Sequence, residues 1–290
     1  MSDYEVDIEE VEYLRHGGKP FLARVYRPRG PGPFPAVAEA HGGAWCEGNR
    51  TNNETINLAV ARGGVVVAAL DFRNPPDATY PGSVADVNYG VRWLKSQAER
   101  FATRPELVGS MGTSSGGHLV VLNGLKPNDP RYAAVKLAGA SFDARVPYVV
   151  SFWPVICPLG RYRDRKAKPA GERAYQNRGG AVAQQERYWL TEDAMGEGSP
   201  MLALERGDAV ETPHILYLQH PGDELHPRFL MEQFVANYRK RGGSVETHFF
   251  EGARYDLPRS EPAAPAARAA IAKVVAFIHD EAQRAPQARS

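Results

Sequence analysis

Residues 107–118 read Leu-Val-Gly-Ser-Met-Gly-Thr-Ser-Ser-Gly-Gly-His, and within them Gly112-Thr113-Ser114-Ser115-Gly116 fits the pattern Gly-x-Ser-x-Gly. That pattern marks a strand turning so sharply into a helix that its middle residue is strained, and glycines two before and two after leave room for the turn. A strand-like run precedes it, and Gly117-His118-Leu119-Val120-Val121-Leu122 continues it in a composition a buried helix accepts. The reading places Ser114 Oγ at the carboxyl end of a buried strand, with the Ser115 N–H facing the place where an oxyanion would form. Ser114 is the candidate nucleophile.

Upstream, Phe34-Pro35-Ala36-Val37-Ala38-Glu39-Ala40-His41-Gly42-Gly43-Ala44-Trp45 reads as a strand ending in His-Gly-Gly. A loop without side chains lets backbone N–H groups donate to developing negative charge, so Gly42, Gly43 and Ser115 are the expected oxyanion-hole donors. On these two motifs the chain resembles the α/β-hydrolases of the hormone-sensitive-lipase-like esterase group, near its small carboxylesterases and arylformamidases, whose oxyanion loops often read His-Gly-Gly-x-Trp. Leu70-Asp71-Phe72-Arg73, Tyr80-Pro81 and the run from Asp86-Val87 to Arg92-Trp93-Leu94 are similar to that group's next segment. The likeness spans roughly residues 20 to 280.

The rest of the chain supports an α/β fold. Residues 5–14 and 21–27 alternate apolar and polar around Arg15-His16-Gly17-Gly18-Lys19-Pro20, as an antiparallel hairpin at a sheet edge does. Gly64-Val65-Val66-Val67-Ala68-Ala69-Leu70 is a continuous apolar run suited to a strand buried on both faces, and Asn53 to Arg62 before it has helical spacing. Further strands are expected at 148–155, 214–219 and 245–250, and a closing helix from Ala263 to Gln283. Alternating strands and helices predict a mostly parallel central sheet flanked by helices, with chemistry at the carboxyl ends of the strands. The expectation is one domain over 1–290 with a small cap insertion at 156–200.

Composition narrows the function classes. With 290 residues, 43% hydrophobic, the chain can build one large core. A net charge of +1 gives no basic face for nucleic acid. The N-terminus has neither a basic n-region nor an apolar h-region, and no run approaches a membrane span, so the expected setting is cytoplasmic. Cys46 and Cys157 form no framework or metal spacing and read as reduced thiols in packing positions. No metal or cofactor is indicated. A two-fold homodimer is the assembly suggested by how common such dimers are.

From Arg161 to Arg187 the cap segment carries eight Arg or Lys against three Asp or Glu. By resemblance the insertion covers the nucleophile, and a positive cover would concentrate an anionic acyl substrate; the alternative is a solvated insertion kept soluble by its charge. Tyr162, Tyr175, Tyr188 and Trp189 either line a pocket or anchor the cap. Asp223, in His220-Pro221-Gly222-Asp223-Glu224-Leu225-His226-Pro227, matches the family's acid loop. The catalytic histidine is expected in a segment the family writes Gly-Ala-Gly-His-Gly-Phe; here residues 252–257 read Gly-Ala-Arg-Tyr-Asp-Leu, so Tyr255 occupies its place. A tyrosine with its usual pKa near 10 is a poor proton acceptor at neutral pH. Arg254 could lower that pKa, and His226, His248, His41, His118 and His220 are the other candidates. His226 lies on the acid loop itself.

Three function classes follow. The first is a serine hydrolase of a small carboxylic ester or related acyl compound, with an atypical base. The second is a non-hydrolytic small-molecule binding protein. The third is a lyase-type enzyme using the elbow and oxyanion hole without an acyl intermediate. Keeping Ser114, the elbow and Asp223 together favours chemistry, since a mere pocket needs none of them.

Overall fold

The computed structural model describes residues 3–139, 141–168 and 180–285. Eight strands, β1 (Val6–His16), β2 (Lys19–Pro28), β3 (Ala36–Ala40), β4 (Val66–Leu70), β5 (Val108–Thr113), β6 (Tyr148–Phe152), β7 (His214–Gln219) and β8 (Val245–Phe249), form one sheet in the order β1-β2-β4-β3-β5-β6-β7-β8. β1 pairs antiparallel with β2, and β2 antiparallel with β4; every other pairing is parallel. The expected edge hairpin is present, but its strands run further than the alternation suggested and meet at the two-residue turn Gly17-Gly18. Such a short connection holds an antiparallel pair, whereas each parallel pair needs a crossover long enough for a helix.

The central strands are covered on both sides, which explains their unbroken apolar runs. Every residue of β3, β4, β5 and β6 is buried, while the far edge strand β8 alternates. Val149, Ile215 and Tyr217 face a layer holding Leu119, Val120 and Phe234; their neighbours Val150, Leu216 and Leu218 face Ile56, Val60, Val274 and Phe277. Helices Ser114–Leu125 and Arg228–Lys240 thus lie on one side, Glu54–Arg62 and Pro265–Arg284 on the other. Each fully buried Val, Leu, Ile or Phe contributes roughly 1.5–3 kcal/mol, so these two layers hold the carboxyl ends of β3 and β5 in fixed register.

Between β6 and β7 the described residues form helices Pro158–Ala167, Ala181–Trp189, Glu192–Glu197 and Pro200–Arg206. Three of them fall in the segment expected as a cap; Tyr175 lies outside the described residues. Among the described residues no helix is long and apolar enough to cross a membrane.

Candidate active site

The elbow is built by sterics that can be read atom by atom. Thr113 is extended (φ −120°, ψ 140°), and Ser114, with φ 51°, is left-handed at the first position of the helix Ser114–Leu125. A non-glycine residue held there costs on the order of 1–3 kcal/mol and persists when its surroundings over-determine it. A Cβ on Gly112 would lie 2.6 Å from Gly116 O, and one on Gly116 would lie 2.0 Å from Ala40 O. Neither position admits a side chain, because helix and strand close on each other and on β3. The Val155 N–H donates to Ser114 O at 3.1 Å and ties the turn to the segment after β6.

The neighbouring loop differs from expectation in one donor. The Gly42 N–H donates to Thr113 Oγ1 at 3.0 Å, so it braces the two loops together and is not free for an oxyanion. Gly43 is at φ 125°, its carbonyl takes the N–H groups of Cys46 and Glu47 at 3.0 Å each, and a Cβ there would lie 2.0 Å from Glu47 O. The Gly43 and Ser115 amides have no acceptor among the described residues, and they are the two expected donors still available. His41 is buried, stacked on Phe72 with centroids 4.2 Å apart, and pushed down to about 4 by burial, so it stays neutral. Cys46 Sγ donates to Gln184 O at 3.1 Å and burial raises its thiol to about 11, in keeping with a packing role.

The imidazole beside the serine comes from the acid loop. His226 Nε2 lies 3.1 Å from Ser114 Oγ, and His226 Nδ1 lies 2.7 Å from Asp223 Oδ2. With Asp223 Oδ1 accepting two backbone N–H groups and Oδ2 facing the ring, Nδ1 is the donor to the carboxylate and Nε2 presents its lone pair to the serine hydroxyl. The same carboxylate accepts the N–H groups of Leu225 at 2.8 Å and His226 at 3.1 Å, while Gln219 Nε2 donates to His226 O at 2.6 Å. The loop is thereby closed into a turn that aims the ring. Burial lowers the His226 pKa first of all; Asp223 opposes the shift, and Arg161 and Arg165 add to it.

This corrects the expectation for residue 255. Tyr255 packs with its ring centroid 5.8 Å from that of His226 and 5.9 Å from that of Trp153, as a neighbour of the imidazole rather than its replacement. The elbow thus meets the acid loop through a histidine only three residues beyond Asp223. Chain spacing taken from the resemblance pointed past β8, and the signal that could have found His226 was its place on the loop that leaves β7 at the active end of the sheet. His248 sits on the edge strand β8 beside Leu218, and His220 Nε2 bonds Gly252 O at 2.9 Å.

Residues of the helix Ala181–Trp189 pack against the His-Gly-Gly loop. Trp45 stacks on Tyr188 at 5.5 Å and meets Trp189 edge-on at 5.4 Å, and its Nε1 donates to His118 Nδ1 at 3.1 Å. His118 Nε2 in turn donates to Gly198 O at 2.8 Å, so this neutral histidine, pushed down to about 4 by burial, joins the helix Ser114–Leu125 to Trp45 and to Gly198. Tyr188 and Trp189 are therefore buried packing residues, and the Tyr162 hydroxyl donates to Glu186 at 2.6 Å. No group of side chains suited to a metal ion occurs among the described residues.

Comparisons with known proteins agree with this architecture. A probable carboxylic ester hydrolase, LipM, of Mycobacterium tuberculosis is 31% identical over 125 residues, covering 43% of this chain and 28% of that protein. Esterase LipC of the same organism is 32% identical over 143 residues, covering 49% and 33%. The matched stretch thus spans about a third of these relatives' length. A hyperthermophilic esterase from the archaeon Pyrobaculum calidifontis superposes with a TM-score of 0.76 at 22% identity, over 97% of this chain and 88% of the other; at that identity it speaks for the fold, which is the α/β-hydrolase fold. Residues 24–187 match the family BD-FAE, and since that is more than half of its length the chain belongs to the BD-FAE family.

Proposed function

We propose that this chain is a serine hydrolase of carboxylic esters in which Ser114 is the nucleophile, His226 the base and Asp223 the group that orients it. The observation that carries the reading is the unbroken line from Asp223 Oδ2 through His226 to Ser114 Oγ, with contacts of 2.7 Å and 3.1 Å. The esterase names of the relatives support it, and helices Pro158–Ala167, Ala181–Trp189 and Glu192–Glu197 act as the cap over the acyl substrate.

In this mechanism Oγ attacks the ester carbonyl as its proton passes to His226 Nε2. The carbonyl oxygen becomes an oxyanion held by the Gly43 and Ser115 N–H groups, each such donor being worth about 3–4 kcal/mol in related enzymes. Asp223 stabilises the imidazolium without taking its proton. The imidazolium then protonates the departing alcohol oxygen, leaving an acyl-Ser114 ester. Water repeats the sequence, giving its proton to Nε2 and its hydroxyl to the acyl carbon, and Ser114 regains its hydrogen. A ligand-binding protein would have no need of an aligned nucleophile and base, which is why the hydrolase is preferred to a binding role.

The experiment is hydrolysis of 4-nitrophenyl butyrate combined with labelling by a fluorophosphonate. The expected result is turnover and one label on Ser114, both lost in Ser114→Ala. Turnover that survives Ser114→Ala, or a wild-type protein that neither turns over nor labels, would overturn the reading.

A further inference from the structure

Two arginines on one face of the helix Pro158–Ala167 reach the site without acidic partners. Arg161 and Arg165 are four residues apart, the spacing that places side chains on one side of a helix. Arg161 is 4% exposed; its Nε and Nη2 donate to Gln185 Oε1 at 3.2 and 2.8 Å, and its guanidinium lies 5.3 Å from the ring centroid of Trp45. Arg165 donates through Nη2 to Glu224 O at 3.3 Å, and its Nε is buried without a partner. Among the described residues neither forms an ion pair, whereas Arg163 between them pairs with Glu192 at 2.7 Å.

Arg161 is buried and Arg165 half-buried; a buried guanidinium held by neutral groups is expensive to keep, and a second cation beside it adds to the cost, unless an anion joins them. Burial pulls Arg161 down to about 9, which leaves it charged at neutral pH, and burial lowers Arg165 as well. Both feel Asp223, and both act on His226. Asp223 is already committed to His226 and two backbone amides. Of the other groups acting on Arg165, Asp164 is paired with Lys168 at 3.2 Å, Glu224 is exposed, and Tyr255, which also acts on Arg161, is a phenol. With neither guanidinium in an ion pair among the described residues, the two present donors and positive charge beside the site, which an anion matches.

Building on the hydrolase reading above, we infer that Arg161 and Arg165 anchor a carboxylate of the substrate, so that the preferred substrates are esters carrying a free carboxylate near the scissile bond. The bond broken remains the ester C–O bond. Water supplies hydroxyl to the acyl carbon and hydrogen to the alcohol oxygen, and the anchored carboxylate passes through unchanged. A guanidinium fork fits a planar carboxylate through two N–H groups, which a lysine cannot reproduce.

Two substrate pairs test this. Mono-4-nitrophenyl glutarate against 4-nitrophenyl pentanoate puts the charge on the acyl half, and 4-acetoxybenzoate against its methyl ester puts it on the leaving half. In at least one pair the anionic member should have the higher kcat/KM by about tenfold or more, the size expected of a hydrogen bond to a charged group. Arg165→Gln should cut that ratio by a similar factor, mainly through KM, with partial recovery in Arg165→Lys. Arg161→Lys provides a second variant in case the Gln185 contact is needed for folding. Ratios at or below one in both pairs, or a ratio that Arg165→Gln leaves in place, would overturn the inference while leaving the hydrolase intact. If no ester of either kind is turned over, the hydrolase reading fails by itself. Calorimetric titration with glutarate then decides the anion site: binding that disappears in Arg165→Gln supports it, and no binding to the wild type overturns it.

Discussion

Asp223 and His226 are three residues apart on one loop, yet the Asp223 carboxylate grips both the ring and the backbone of His226, through Nδ1 at 2.7 Å and N–H at 3.1 Å. Asp223 therefore fixes the position of the His226 ring as well as its tautomer, and in the proposed mechanism the two residues act as a unit. His226→Ala is expected to lower kcat/KM for 4-nitrophenyl butyrate by at least about a thousandfold, and Asp223→Asn by roughly 10³–10⁴-fold. Tyr255→Phe, which keeps the ring packed beside His226, should stay within about tenfold of the wild type. Steady-state kinetics on the three purified variants measure this. If Tyr255→Phe proves as damaging as His226→Ala, the assignment of the base is wrong.

The pH profile should carry the mark of a buried base. His226 must be neutral to accept a proton, and burial holds its pKa below the usual 6.5. Activity should persist below pH 6.5 and fall only as pH drops through the lowered value. The same depression gives stability that is present above 6.5 and is lost as pH falls through the folded pKa. Arg165 is among the cations that disfavour a charged ring, so Arg165→Gln should move the acid limb of kcat/KM to higher pH. A limb centred above 6.5 in the wild type, or one that the substitution does not shift, would contradict this electrostatic arrangement.

Glu39 offers a prediction about stability. It sits 1% exposed in the middle of β3, with Asn53 Nδ2 at 2.7 Å and Asn57 Nδ2 at 3.2 Å. The same Asn53 amide reaches Thr113 Oγ1 at 3.0 Å, the oxygen that takes the Gly42 N–H. Burial raises the Glu39 pKa from 4.5 to about 7 against the opposing effect of the two asparagines. A raised acid pKa means the folded state holds the proton longer, so this residue's contribution declines as pH rises from 4.5 to about 7, by roughly 3 kcal/mol. Glu39→Gln keeps the shape and removes the titration. Thermal unfolding of both proteins at pH 5 and pH 8 should show the variant gaining on the wild type by several degrees at the higher pH; an equal difference at both would count against a buried, titrating Glu39.

Much of the scaffold and part of the site could be read from the chain because they depend on short-range geometry. The elbow's glycines are required by clashes within one turn of chain and with β3, and the apolar runs of β4 and β6 report burial on two faces wherever they pack. Asp223 could be placed at the active end of the sheet for a similar reason, since its loop directly follows a recognisable strand. The choice of base was different. Residues 226 and 255 both return to the neighbourhood of Ser114, and the family resemblance favoured the position after β8; only the folded loop, drawn shut by hydrogen bonds to Asp223 and from Gln219, brings the imidazole of His226 to 3.1 Å from Ser114 Oγ. Gly42 and Gly43 look equivalent as glycines, and only the approach of Thr113 Oγ1 engages one amide and leaves the other available. Sequence by itself determined where the chain must turn and which faces must be buried, because those follow from local sterics and side-chain polarity. Tertiary structure alone decided which histidine meets the serine, which amide is free and which arginines lack acidic partners, because each depends on distances between segments far apart in the chain.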